Sequence, residues 1–161
     1  MIDMPRYRNR SAKPAEKFVN KYELTKESKI FRGETVYRIR ALKDFGSVKK
    51  GELGGYVSGE HNLSQYGSCW IAHEAIAYQH SQVRVFAQII DRAMLGGNAI
   101  AAGGCVICND AIITGDADVA DEVTVGGGTI IGGKIKLRGD VQIYSQGELM
   151  AYVEERRAAM V

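Results

Sequence analysis

The sequence predicts an all-β protein built on a β-solenoid, with an N-terminal β cap and a short C-terminal helix. Three observations support this class. From Trp70 to Val141 the chain divides without a gap into twelve blocks of six residues. The second residue of every block is aliphatic or Ala, and the sixth is Ala in six of the twelve blocks. An aliphatic and a small residue at this fixed short spacing are typical of coils that stack on one another.

The first segment, residues 1–21, is a basic arm. Apolar residues are too sparse there to form a core-facing stripe, so we expect the arm to be flexible. The first 50 residues contain 14 Lys and Arg against 6 Asp and Glu, whereas the remainder contains 7 against 13. Two interpretations stay open for the arm: a solvated tail without a partner, or a contact with an acidic partner or nucleic acid through Arg6, Arg8, Arg10, Lys13 and Lys17.

Residues 22–62 are predicted to form a β-rich cap. Apolar and charged residues alternate from Thr35 to Leu42, as expected of a half-buried strand. The segment from Asp44 to Val57 contains Gly46, Gly51, Gly54 and Gly55 and shows no helical period. A solenoid exposes its interior and an unpaired strand edge at each end, and this cap would cover the first coil.

The solenoid itself is predicted over 63–146 and a C-terminal helix over 147–161. Leu149, Tyr152 and Val153 share one face of that helix, which suits it to cover the last coil. Within each block the aliphatic residue points inward and its two neighbours point outward.

Two resemblances refine this picture. The six-residue blocks resemble the left-handed parallel β-helix of hexapeptide-repeat proteins, which include acyltransferases and γ-class carbonic anhydrases. That resemblance implies three blocks per coil, so that each residue stacks on the one 18 positions later. Residues 42–48, 51, 54–57 and 62–71 are similar to the start of YdcK-like proteins, uncharacterised bacterial and prophage-encoded β-helix proteins. This second resemblance covers 22–75 and implies no catalytic residue.

The 18-residue stacking rule brings one outward column of apolar side chains together. We expect it to be an oligomer or partner interface, because a contiguous exposed apolar patch usually marks one. The alternative is that the C-terminal helix or the N-terminal segment folds over it. The column and the tyrosine beside it comprise Ile76, Tyr78, Met94, Ile112 and Ile130.

Catalytic and metal-binding patterns are weak. The unbroken blocks leave no extruded loop for a catalytic histidine of the acyltransferase kind. His73 and His80 fall at turns on different corners, with no acidic partner expected from their spacing, and His61 lies in the cap. Cys105 and Cys108 form a CxxC pattern whose thiols should diverge. We expect no cofactor, no metal and no catalytic residue.

The sequence therefore predicts a non-enzymatic protein–protein interaction module that forms a dimer or trimer. The resemblance to YdcK-like proteins implies a bacterial or phage origin. Such a module could inhibit a host complex, for instance a defence system. Two alternatives stay open, a hexapeptide-repeat acyltransferase-like enzyme and a structural or nucleic-acid-associated protein acting through the arm. The arm could instead contact the acidic turns of a neighbouring subunit. The three cysteines and the lack of an apolar leader or span favour the cytoplasm.

Overall fold

A computed structural model describes residues 18–159, and most of them form a three-sided parallel β-helix. Thirteen two-residue strands start every six residues from Trp70 to Gln142. They are β4 Trp70–Ile71, β5 Ile76–Ala77, β6 Gln82–Val83, β7 Gln88–Ile89, β8 Met94–Leu95, β9 Ile100–Ala101, β10 Val106–Ile107, β11 Ile112–Ile113, β12 Asp118–Val119, β13 Thr124–Val125, β14 Ile130–Ile131, β15 Lys136–Leu137 and β16 Gln142–Ile143. The predicted fold class is confirmed.

Each strand from β4 to β13 pairs in parallel with the strand one coil later, and the partners are 18 residues apart. Ile112, for example, pairs with Met94 above it and with Ile130 below it. The solenoid strands thus form three sheets, one per side of the prism, with orders β5-β8-β11-β14, β4-β7-β10-β13-β16 and β6-β9-β12-β15. The stacking rule implied by the first resemblance is confirmed.

The core is the interior of the prism. The second residue of every block is fully buried, and small residues such as Ala93 and Ala111 fill the space beside the corners. Aliphatic side chains therefore stack on one another along each side, as Leu95, Ile113 and Ile131 do. Each fully buried Ile or Leu contributes about 1.5–3 kcal/mol by burial.

The corners are tight turns whose first residue adopts the left-handed conformation. Side chains on one corner also bridge successive coils. The ring nitrogen Nδ1 of His73 accepts a hydrogen bond from the backbone N–H of Asp91 at 3.2 Å. A carboxylate oxygen of Asp91 accepts one from the N–H of Asn109 at 2.8 Å, and the amide oxygen of Asn109 accepts one from the N–H of Gly127 at 2.8 Å. Polar residues at this corner thus tie each coil to the next.

The cap consists of β1 Tyr22–Phe31, β2 Glu34–Ala41 and β3 Leu53–Val57, followed by a short 3-10 helix, Glu60–Asn62. β1 and β2 form an antiparallel hairpin that turns at Arg32 and Gly33, where both residues have positive φ. β3 pairs antiparallel with β2 and parallel with β5. The cap therefore extends one side of the solenoid as a continuous seven-stranded sheet.

The helix α1, Gln146–Ala159, lies at the other end. Leu149 and Tyr152 are buried against the last coil, and the Tyr152 hydroxyl accepts a hydrogen bond from the N–H of Arg138 at 3.1 Å. The Gln146 side chain bonds both the N–H and the C=O of Ile130, each at 2.9 Å. It thereby occupies the edge of β14, where a further strand would otherwise pair.

Among residues 18–159, no helix is long and apolar enough to cross a lipid bilayer. The arm residues Arg6, Arg8, Arg10, Lys13 and Lys17 lie outside the described residues.

Candidate functional site

The predicted outward column starts beneath the cap. Ile76 and Tyr78 retain only 5% and 3% of their exposure, because they pack with Val36 and Tyr56 of the cap strands. The Phe31 ring meets the Tyr78 ring edge-on at a centroid distance of 5.0 Å. The first coil of the column is thus covered by the protein's own N-terminal segment.

Arg38 of β2 holds the cap against this coil. Its guanidinium donates to the Tyr56 hydroxyl at 2.8 Å, to Glu27 at 2.7 Å and to Glu74 of the solenoid at 3.1 Å. It also donates to the carbonyl of Gly54 at 2.8 Å. The hydrogen bond from Arg38 lowers the pKa of the Glu27 carboxyl, so this network stays charged at neutral pH.

The lower three members of the column remain accessible. Met94 and Ile112 are half-buried by neighbouring coils, whereas Ile130 is 54% exposed. The next outward column contains Gly96, Thr114 and Gly132. Because those residues are small, Met94, Ile112 and Ile130 stand beside a flat strip of backbone. An apolar ridge next to a shallow strip suits close contact with another protein surface.

Gly96 shows why this strip must be flat at its upper end. A Cβ atom at Gly96 would lie 2.6 Å from the ring of Tyr78, which rests over it. Tyr78, although covered by the cap, therefore shapes the upper boundary of the exposed column. The candidate interaction surface, hereafter the apolar column, is defined as Met94, Ile112 and Ile130.

A neighbouring side of the prism differs in polarity. It carries Gln82, Asp118 and Lys136, and Arg138 pairs with Asp118 at 3.0 Å. On the third side, Trp70 stands at an outward position beside Ile71 but is buried against Phe45. The apolar column therefore faces away from a hydrated side of the same prism.

The expectation that His73 has no acidic partner is wrong. Asp91 stacks one coil below it, and the His73 Nδ1 atom lies 3.5 Å from an Asp91 carboxylate oxygen. The 18-residue spacing predicts this pair.

The other two histidines, His61 and His80, line a surface cleft of about 590 Å³ together with Glu34. The His61 Nε2 atom is 2.7 Å from the carbonyl oxygen of Gln79, at the floor of that cleft.

All three cysteines are free and buried. Cys105 occupies an inward position, and burial raises the pKa of its thiol to about 12. Cys108 occupies an outward position and is nevertheless covered, so the two thiols of the CxxC pattern belong to different surroundings. No group of three His, Cys, Asp or Glu side chains with metal-binding geometry occurs in the described part of the chain.

A second exposed apolar cluster was missed by sequence reasoning. Tyr66, Val85 and Phe86 are exposed at one corner of the first coils, and the ring of Phe18 packs against that of Tyr66 in a tilted arrangement, with 5.1 Å between the ring centroids. Val85 has a φ of 63°, a left-handed conformation that is strained for a β-branched residue. The sequence does contain a sign of this cluster: Val85 and Phe86 stand at turn positions that most other blocks fill with polar residues or glycine.

The corner of Val85 and Phe86 joins β6 to β7, whereas the apolar column lies on the side formed by β8, β11 and β14. In a three-sided prism this corner is opposite that side. The two apolar surfaces are therefore separate.

Comparisons of the chain with protein-family models and with curated proteins gave no match.

Proposed function

We propose that this protein is a non-enzymatic, oligomeric protein–protein interaction module of the cytoplasm, encoded by a bacterium or a phage. Copies meet through the apolar column, and the assembled oligomer occupies the surface of a host protein complex, as an inhibitor of a defence system would. The observation that carries the proposal is the exposed Ile130 in register with Met94 and Ile112 on a rigid sheet.

The rigidity of the surface supports this role. The backbone beneath the column is held by parallel hydrogen bonds on both sides, for example from Met94 N–H to Ala111 C=O and from Ile112 N–H to Thr129 C=O, both at 2.9 Å. A surface that is ordered before binding loses little conformational entropy on association. Burial of three aliphatic side chains then contributes net affinity.

The burial of Ile76 and Tyr78 limits the predicted interface. These two residues support the column from beneath the cap, and the contact between copies is made by the three residues below them. The cap also stops a second copy from stacking end to end on the first coil, because its strands already pair with β5. Association through the side of the prism is therefore favoured over association through its upper end.

The cluster of Tyr66, Val85 and Phe86 is the surface that we assign to the host partner. It lies opposite the apolar column, so one copy can engage a second copy and a different protein at the same time. Its exposed aromatic rings are the residue types enriched at protein interfaces. The strained backbone at Val85 also fits a position kept for binding rather than for stability.

The oligomer is tested by light scattering coupled to size exclusion. We expect a dimer or trimer for the unchanged protein and a monomer for Ile112→Asp, because a carboxylate in an apolar interface costs several kcal/mol, roughly 100-fold or more in affinity. Lys136→Asp is the matched control, since it places the same group on the hydrated side. A monomeric unchanged protein would contradict the proposal.

The partner is tested by capture from the host lysate and mass spectrometry. The bait is the full chain, compared with Phe86→Ser and with Ile112→Asp. We expect a host complex that Phe86→Ser fails to retain, whereas Ile112→Asp retains it more weakly through loss of avidity. Equal capture by all three baits would contradict the assignment of the corner.

A further inference from the structure

A lysine and a cysteine are buried together where the cap meets the first coil. Lys21, which directly precedes β1, is only 1% exposed, and Cys69, which precedes β4, is fully buried. The Lys21 Nζ atom lies 3.3 Å from the Cys69 sulfur. It also donates to the backbone carbonyls of Cys69, at 2.8 Å, and Gly67, at 3.3 Å.

The surroundings of this amine are unusual for lysine. Within residues 18–159, no carboxylate forms an ion pair with Lys21. The ring of Phe45 also faces the amine, with its centroid 5.0 Å from Nζ. Burial lowers the pKa of Lys21, which raises the fraction of the neutral amine, the nucleophilic form.

The thiol is surrounded by polar backbone. The Cys69 sulfur lies 3.7 Å from the carbonyl oxygens of Ser64 and Tyr66 and 3.6 Å from that of Val83. Burial raises the pKa of the thiol, and the adjacent Lys21 opposes that shift. The carbonyl oxygens are thus placed to accept a hydrogen bond from the thiol, and the Lys21 amine lies within 3.3 Å of the sulfur.

A small oxidant has a short path to this sulfur. Ser64, Tyr66 and Val83 all line a surface cleft of about 590 Å³ beside the first coils. The sulfur thus lies one layer of backbone behind an open cleft. Cys105 differs, because it is fully buried inside the prism, where backbone groups form the hydrogen bonds to its thiol and the charges of Asp118 and Glu122 raise its pKa further.

We propose that Lys21 and Cys69 are an oxidative modification site, and that hydrogen peroxide converts them to a covalent sulfur–nitrogen cross-link. In the first step, the sulfur attacks one peroxide oxygen, the O–O bond breaks, and the thiol becomes a sulfenic acid with release of one water. In the second step, the lone pair of the Lys21 amine attacks that sulfur. The S–O bond breaks, an S–N bond forms, and the hydroxyl leaves with an amine proton as a second water.

The cross-link ties the cap to the solenoid. It joins positions that are 48 residues apart in the chain, so it closes a long loop in the unfolded state. Closure of such a loop stabilises the folded state by reducing the entropy of the unfolded chain. The product remains reducible, since a thiol attacks the sulfur, releases the amine and leaves a disulfide that a second thiol reduces.

Peptide mass spectrometry tests the proposal on the full chain. After peroxide treatment we expect a linked pair of peptides containing Lys21 and Cys69, about 2 Da lighter than their sum, which dithiothreitol separates. Cys105 is the internal control and should form no linked pair. Oxidation of Cys69 to sulfinic acid without a linked pair, or links at Cys105 of similar yield, would overturn the proposal.

A thermal melt supplies a second readout. Peroxide should raise the melting temperature of the unchanged protein by several degrees and leave that of Lys21→Met and of Cys69→Ser unchanged. Lys21→Met keeps the length of the side chain and removes the amine. A rise of equal size in Lys21→Met would overturn the cross-link as its cause.

Discussion

Shortening the inward side chain of Ile113 should destabilise the solenoid strongly. Ile113 is fully buried in the middle of its side, stacked between Leu95 above and Ile131 below. Ile113→Ala removes about three methylene equivalents, worth about 2.4 kcal/mol of transfer free energy. Because both stacking partners are held by the sheet, the space cannot close, and the cavity raises the loss to about 3–4 kcal/mol.

The matched control is the same substitution at an exposed position. Ile30 of β1 is 70% exposed and lies outside the apolar column, so Ile30→Ala should cost less than about 1 kcal/mol. Urea titrations followed by far-ultraviolet circular dichroism give the free energy of unfolding of each variant. A loss below about 1 kcal/mol for Ile113→Ala would refute the inward assignment and with it the stacking argument.

Three further outcomes are expected. Gly127 and Gly133 both have φ near 60°, but a Cβ at Gly127 would collide with the Tyr144 carbonyl oxygen, whereas nothing lies near Gly133. Gly127→Ala should therefore lower the melting temperature more than Gly133→Ala, and equal shifts would argue against that contact. Val85→Asn should raise the free energy of unfolding by about 0.5–1 kcal/mol, because asparagine tolerates the left-handed conformation; a lower value in urea titration would show that packing of Val85 outweighs its strain. Burial raises the pKa of Cys105 from 9.0 to about 12, so its stabilising contribution is complete below pH 9 and is lost as the pH rises toward 12. Melts across that range should show a smaller alkaline loss for Cys105→Ala, and an identical loss would contradict this cause.

Residues of the regular blocks could be placed from the sequence because their surroundings repeat. In a parallel stack a residue meets the residues 18 positions before and after it, so spacing alone specifies its neighbours. The inward columns and the corner turns follow from this rule. The same rule also relates the corner residues His73 and Asp91, which are 18 positions apart and lie in contact.

The irregular ends obey no such rule, and tertiary structure alone decided them. Phe31 meets Tyr78 across 47 residues, Lys21 meets Cys69 across 48, and Gln146 reaches the edge of β14 from the start of a helix. No repeat relates these positions. Their contacts depend on where the cap and the helix pack on the folded solenoid. A periodic sequence thus determined which side chains face inward, whereas the packing of the ends on the solenoid determined that Ile76 and Tyr78 are covered and that Met94, Ile112 and Ile130 stay accessible.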